Sequence, residues 1–93
     1  MLSGPSVDGM RRTYVVEQYW PGVTEAEFRA AAARIRTIAA GLDGVRFLHL
    51  TFVPGDEAAF GVVAAPSLQL VEEAYRRAGV PFERILDAVE VPG

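Results

Sequence analysis

Two hydrophobic periods alternate along the chain. Thr13 to Trp20, TYVVEQYW, is rich in β-branched and aromatic residues and predicts a strand, which Pro21-Gly22 ends. Thr24 followed three residues later by Glu27 has the spacing of a capping box, the sign of a helix start. Phe28, Ala31, Ala32, Ile35, Ile38, Ala39 and Leu42 then recur at helical spacing. Glu25, Arg29, Arg34 and Arg36 fall off that stripe, and Gly41 and Gly44 bracket its end. Val45 to Val53 predicts a second strand, Pro54 to Glu57 a turn, and Ala58 to Ala65 a third strand closing a hairpin. Ser67 is placed to cap a second helix with Leu68, Val71, Tyr75 and Ala78 as its buried stripe. Gly79 and Pro81 stop it, and Ile85 to Val91 predicts a last strand.

The order β-α-β-β-α-β predicts an α+β, ferredoxin-like domain over residues 12–93, preceded by a flexible tail at residues 1–11. Right-handed crossovers give an antiparallel sheet of strand order 4-1-3-2, with both helices on one face. The other face then decides what the molecule does. Placing Tyr14, Val16, Gln18 and Trp20 under the helices keeps Glu17 out of the core and leaves Thr13, Val15, Glu17 and Tyr19 on the open face. In the second strand, Leu48, Leu50 and Phe52 suit the helix side, leaving Phe47, His49, Thr51 and Val53 opposite. In the third, Phe60, Val62 and Ala64 suit the helix side, leaving Ala59, Gly61, Val63 and Ala65 opposite, with Ala59 and Gly61 as a low floor at the middle of the open face. The fourth strand is ambiguous between its two alternating sets.

An open face carrying Val15, Tyr19, Phe47, Val53 and Val63 is too apolar for a soluble monomer and predicts a homodimer of facing sheets, a dimeric α+β barrel. It is also too polar for a plain interface. Glu17, Tyr19, Phe47, His49, Thr51 and Gly61 are the expected ligand-binding set, with His49 and Glu17 the candidate acid–base residues if the chain is catalytic. The bland readings are a hydrogen-bonded histidine in a dimer interface and a strand carboxylate paired with an arginine.

Composition narrows the chemistry. The 93 residues hold no Cys, which removes disulfides, thiolate nucleophiles and iron–sulfur clusters. All nine basic residues are Arg, so a lysine Schiff base is excluded. A net charge of −3 gives no basic surface for nucleic acid. No apolar run is long enough to span a membrane and the first residues lack a secretory pattern, so a cytoplasmic protein with neither membrane nor nucleic-acid partner is expected.

Tyr14-Val15-Val16-Glu17 leading to Pro21-Gly22-Val23-Thr24, then Gly44-Val45-Arg46-Phe47, Ala65-Pro66-Ser67 and Ala78-Gly79-Val80-Pro81 form an ordered set over about residues 12–91. The set resembles a family of small bacterial nickel-responsive, ferredoxin-like domains formerly known only as a domain of unknown function. The resemblance implies a ferredoxin-like dimer and nickel held by several histidines. This chain departs from it: His49 is the single histidine, and Glu17, Gln18, Tyr19 and Trp20 stand where relatives are expected to offer histidines. Nickel favours imidazole, so the single His counts against it as a cofactor, and His49 with Glu17 is a weak metal set.

Three functions stay open. The first is a dimeric module holding a small organic ligand or a metal between facing sheets. The second is a cofactor-free α+β-barrel enzyme of cyclase, isomerase or oxygenase type, using His49 as acid/base. The third is a structural or regulatory domain without ligand.

Overall fold

The computed structural model describes residues 11–92, so the tail expected at residues 1–11 lies almost wholly outside the described residues. The elements are β1 (Arg12–Tyr19), α1 (Glu25–Ala40), β2 (Arg46–Val53), a single 3-10 turn (Pro54–Asp56), β3 (Ala58–Ala65), α2 (Leu68–Ala78) and β4 (Arg84–Ala88). They build one antiparallel sheet in the order β2-β3-β1-β4, the expected ferredoxin-like arrangement. α1 packs against β2, α2 against β3, and the helices pack against each other.

Each helix starts where its sequence signal lies. The Thr24 hydroxyl accepts from the Glu27 amide at 3.1 Å while the Glu27 carboxylate accepts from the Thr24 amide at 2.9 Å, satisfying two amides that the first turn leaves open. Those bonds hold the Glu27 carboxyl below its usual pKa. Ser67 caps α2 through the Leu70 amide. Gly79 ends α2 in the left-handed region at φ 69°, where a side chain would be strained, and the Gly79 and Val80 amides donate back to Arg76 and Tyr75. Glu57, also left-handed at φ 53°, turns the chain from the 3-10 turn into β3.

The core lies between the helices and one sheet face. Tyr14 and Val16 from β1 meet Ile35, Ala31 and Ala39 from α1 and Val71, Tyr75 and Ala78 from α2. Gln18 is the buried polar residue among them; its amide donates to the Pro81 carbonyl at 3.3 Å. Thus β1 faces as its alternation predicts.

Two strands depart from expectation. β2 carries a β-bulge between Phe47 and His49, with Leu48 the extra residue. One extra residue shifts the side-chain period by one. Phe47 therefore turns into the core beneath Arg36, and Leu48 is left 39% exposed, while Leu50 and Phe52 stay on the helix side as expected. In β3 the faces are reversed. Val63 pairs with Tyr14, Gly61 with Val16 and Ala59 with Gln18, so the small set faces the helices. The physical reason is Tyr75, which is fully buried with its hydroxyl above Gly61, where any Cβ would collide with it. The helix layer needs the small residues, and Phe60 and Val62 are driven to the open face. β4 is also shorter than expected: pairing with β1 stops at Ala88 opposite Thr13, and Val89 to Val91 lie outside the strand.

Candidate functional site

The pairing registers lay out, as rows, the sheet face that no described helix covers. Val53, Ala58 and Tyr19 form one; Thr51, Phe60, Glu17 and Arg84 the next; His49, Val62, Val15 and Leu86 the third; Arg46, Ala64, Thr13 and Ala88 the last. Its centre is apolar, made by Phe60, Val62, Val15 and Leu86. Leu86 alone is 36% exposed although it stands beside Val15 in mid-face. Polar groups surround this centre: His49 and Thr51 on the β2 side, Glu17 with Arg84 on the β1–β4 side, and Tyr19 at one end.

Of the expected ligand set, Glu17, Tyr19, His49 and Thr51 share this face. Phe47 and Gly61 do not. The bulge takes Phe47 into the core, and Gly61 lies beneath Tyr75, so the low floor expected between Glu17 and His49 is occupied by Phe60 and Val62. The floor is raised and greasy rather than hollow. Glu17 and His49 stand two strands and one row apart, roughly 12 Å between backbones, and form no direct couple.

Glu17 has a partner of its own. Arg84 Nε donates to its Oε1 at 2.7 Å, with Nη2 at 3.5 Å from Oε2. The two residues face each other directly in the β1–β4 register. The carboxylate strengthens the hold of the Arg84 guanidinium on its proton. The pair is open to water on the arginine side, so it positions charge more than it stabilises the fold. No sequence signal points to Arg84, which precedes the predicted last strand by one residue. Leu86 was hidden by the ambiguity of that strand. The signal for Phe60 and Val62 was the run of small residues Ala59, Gly61 and Ala65, which suits a close helix approach better than an open floor.

Away from this face, a hollow of about 460 Å³ lies between the loops after β1 and α2, walled by Trp20, Pro21, Val23, Arg34, Gly79 and Pro81. The Arg34 Nε there donates to the Ala78 carbonyl at 2.9 Å, and Glu27 is engaged in the α1 cap. These groups are tied to the fold and do not converge on the hollow. Among the described residues no three His, Cys, Asp or Glu side chains come together as a metal site, and no helix is long and apolar enough to cross a membrane.

The architecture has a solved counterpart. The crystal structure of SCO4226 from Streptomyces coelicolor A3(2) superposes with a TM-score of 0.77 at 16% identity, over 86% of this chain and 99% of that one. At that identity the likeness speaks for the fold. No curated protein matches the sequence. A family model described as nickel responsive protein SCO4226-like matches residues 14–87, which span all four strands and both helices but for the ends of β1 and β4. The chain belongs to the SCO4226-like family of nickel-responsive proteins.

Proposed function

We propose that this protein is a small homodimeric binding module whose open sheet faces meet and hold a small organic ligand between them. The observation that carries this reading is the uncovered face itself. An unbroken apolar centre of Val15, Phe60, Val62 and Leu86, with Leu86 exposed, Val15 and Phe60 half-buried and Val62 tucked between its neighbours, is ringed by a few polar side chains. Sheets pack face to face about 10 Å apart; Phe60 and Val62 fill the middle, so the room for a flat ligand lies beside Ala58 and Ala64, where the side chains are short. An apolar floor with sparse, fixed polar groups is the usual make-up of a ligand site. Here His49, Thr51 and Tyr19 supply hydrogen bonds, and the Glu17–Arg84 pair supplies oriented charge.

The family description names nickel, and the donor set of this chain does not fit a nickel centre. His49 is the single imidazole, and the Glu17 carboxylate is held by Arg84. Nickel prefers several imidazole ligands, so the polar rim suits an organic ligand better. The same commitment of Glu17 to Arg84, two strands from His49, also argues against an acid–base pair made of the two.

Native mass spectrometry of the purified protein tests this reading. The expected spectrum is a dimer with retained mass beyond two chains. His49→Ala is expected to keep the dimer and lose that mass. A dimer that carries nothing, or one whose retained mass is indifferent to His49, contradicts the ligand reading.

A further inference from the structure

The charges on the sheet face away from the helices do not cancel. The chain as a whole carries −3, yet the strands place two arginines, Arg46 and Arg84, on this face against one carboxylate, Glu17. Arg84 is taken up by Glu17 at 2.7 Å. Arg46 is exposed and stands in no ion pair among the described residues. Asp87 lies opposite Tyr14 and so has the parity of the helix side. Asp43 and Glu90 lie beyond the strand ends nearest Arg46, and Asp56, Glu57 and Glu83 beyond the opposite ends. Arg46 also begins a row that is otherwise small. Ala64, Thr13 and Ala88 follow it across β3, β1 and β4, all half-buried. With strands ~4.8 Å apart, that row runs roughly 14 Å from Arg46 to Ala88. The taller row of His49, Val62, Val15 and Leu86 walls it on one side. The short row at the other end, Val53, Ala58 and Tyr19, has no charge of its own.

We infer that the row from Arg46 to Ala88 seats the ligand and that the ligand is a flat organic acid, its carboxylate on the Arg46 guanidinium and its ring over Ala64 and Thr13. The inference deepens the ligand reading above and rests on it. A guanidinium meets a carboxylate with two parallel N–H donors, so one arginine suffices to choose the ligand's charge and fix its plane. Closing two sheets over Arg46 without an anion would bury an unpaired cation, which costs several kcal/mol. A second copy does not supply that anion from its own face. Its face is identical to this one, and the carboxylate that this face carries, Glu17, is already held by Arg84. The acid group of a ligand fills that role. The apolar wall of Val62 and Val15 takes the ring edge, and the Thr13 hydroxyl and the His49 ring offer hydrogen bonds beside it.

Isothermal titration of the full-length chain with naphthoate, and with naphthamide as its neutral isostere, tests the inference. Naphthoate is expected to bind at least about tenfold more tightly than naphthamide. Arg46→Gln is expected to reduce naphthoate to the level of the amide, and Arg46→Lys to keep part of the difference. Arg12→Gln removes the same charge from the helix-side parity of β1 and is expected to change neither. Equal binding of the two probes refutes the acid seat, as does a parent that binds neither. Naphthoate binding that ignores Arg46→Gln, or that falls equally with Arg12→Gln, refutes it too. In each of these cases a dimer with His49-dependent retained mass leaves the binding module standing. A monomeric parent refutes both.

Discussion

Gly61→Ala is expected to destabilise the domain by about 3 kcal/mol in urea unfolding, near the upper end of what overpacking a core costs. In mid-strand an alanine is ordinarily no worse than a glycine, and often better. Here the added methyl would collide with the Tyr75 hydroxyl and stand 3.3 Å from Leu50 Cδ1. Tyr75 cannot step aside: it is fully buried, with its ring edge-on to Phe82. The hydroxyl has no hydrogen-bond partner among the described residues. Tyr75→Phe therefore removes an unpaired buried group, and is expected to be neutral or stabilising by about 1 kcal/mol. Combining the two restores space, since the next Tyr75 atom, Cζ, lies at 3.4 Å. The double variant is expected to lie well above Gly61→Ala, a coupling of at least about 1 kcal/mol. If the two changes simply add, the contact does not govern the sheet–helix spacing. A pH signature accompanies it. Burial raises the Tyr75 pKa above its ordinary 10.0, so the folded state keeps the phenol neutral where the unfolded chain ionises it. The contribution is complete below pH 10.0 and is lost as pH rises above it. Tyr75→Phe is expected to abolish that part of the alkaline sensitivity.

On the proposed face-to-face dimer, Leu86→Asp is expected to convert the dimer to monomers while leaving the fold intact. Leu86 is 36% exposed in the single chain, and its neighbour across β1 is Val15, so a carboxylate there costs the isolated domain little. In the proposed dimer the same carboxylate would be buried against apolar groups, once in each copy. A buried, unpaired ion costs several kcal/mol, and each 1.4 kcal/mol is about tenfold in affinity. A loss of dimer affinity of at least about 100-fold follows, read by sedimentation or size-exclusion with light scattering, with circular dichroism unchanged. Arg84 cannot rescue the new carboxylate without leaving Glu17. A Leu86→Asp protein that dimerises like the parent would move the interface elsewhere.

Local signals carried the order of elements because each was redundant. Thr24 with Glu27, Ser67 and Gly79 mark helix ends by chemistry that acts within a few residues, and each sits where it was expected. The face of β1 was legible because Glu17 and Gln18 differ in what burial costs, and the amide, not the carboxylate, lies inside. The faces of β2 and β3 were not legible by the same logic. A bulge leaves no composition signal at Leu48, yet one extra residue reverses every side chain before it. In β3 both alternating sets are apolar, so hydrophobicity could not choose between them. The choice was made by volume, through a tyrosine hydroxyl contributed by a helix some fourteen residues further on. The candidate site inherited both errors: Glu17, Tyr19, His49 and Thr51 share a face, whereas Phe47 and Gly61 belong to the core. Arg84 entered only through the β1–β4 register, which no local pattern encodes.

The central claim is that the uncovered sheet face joins two copies of the chain, and sedimentation equilibrium of the unmodified protein at micromolar concentration tests it most directly. The expected mass is twice that of the 10.1 kDa chain. A single species of 10.1 kDa, with the face around Leu86 left without a partner copy, would contradict it.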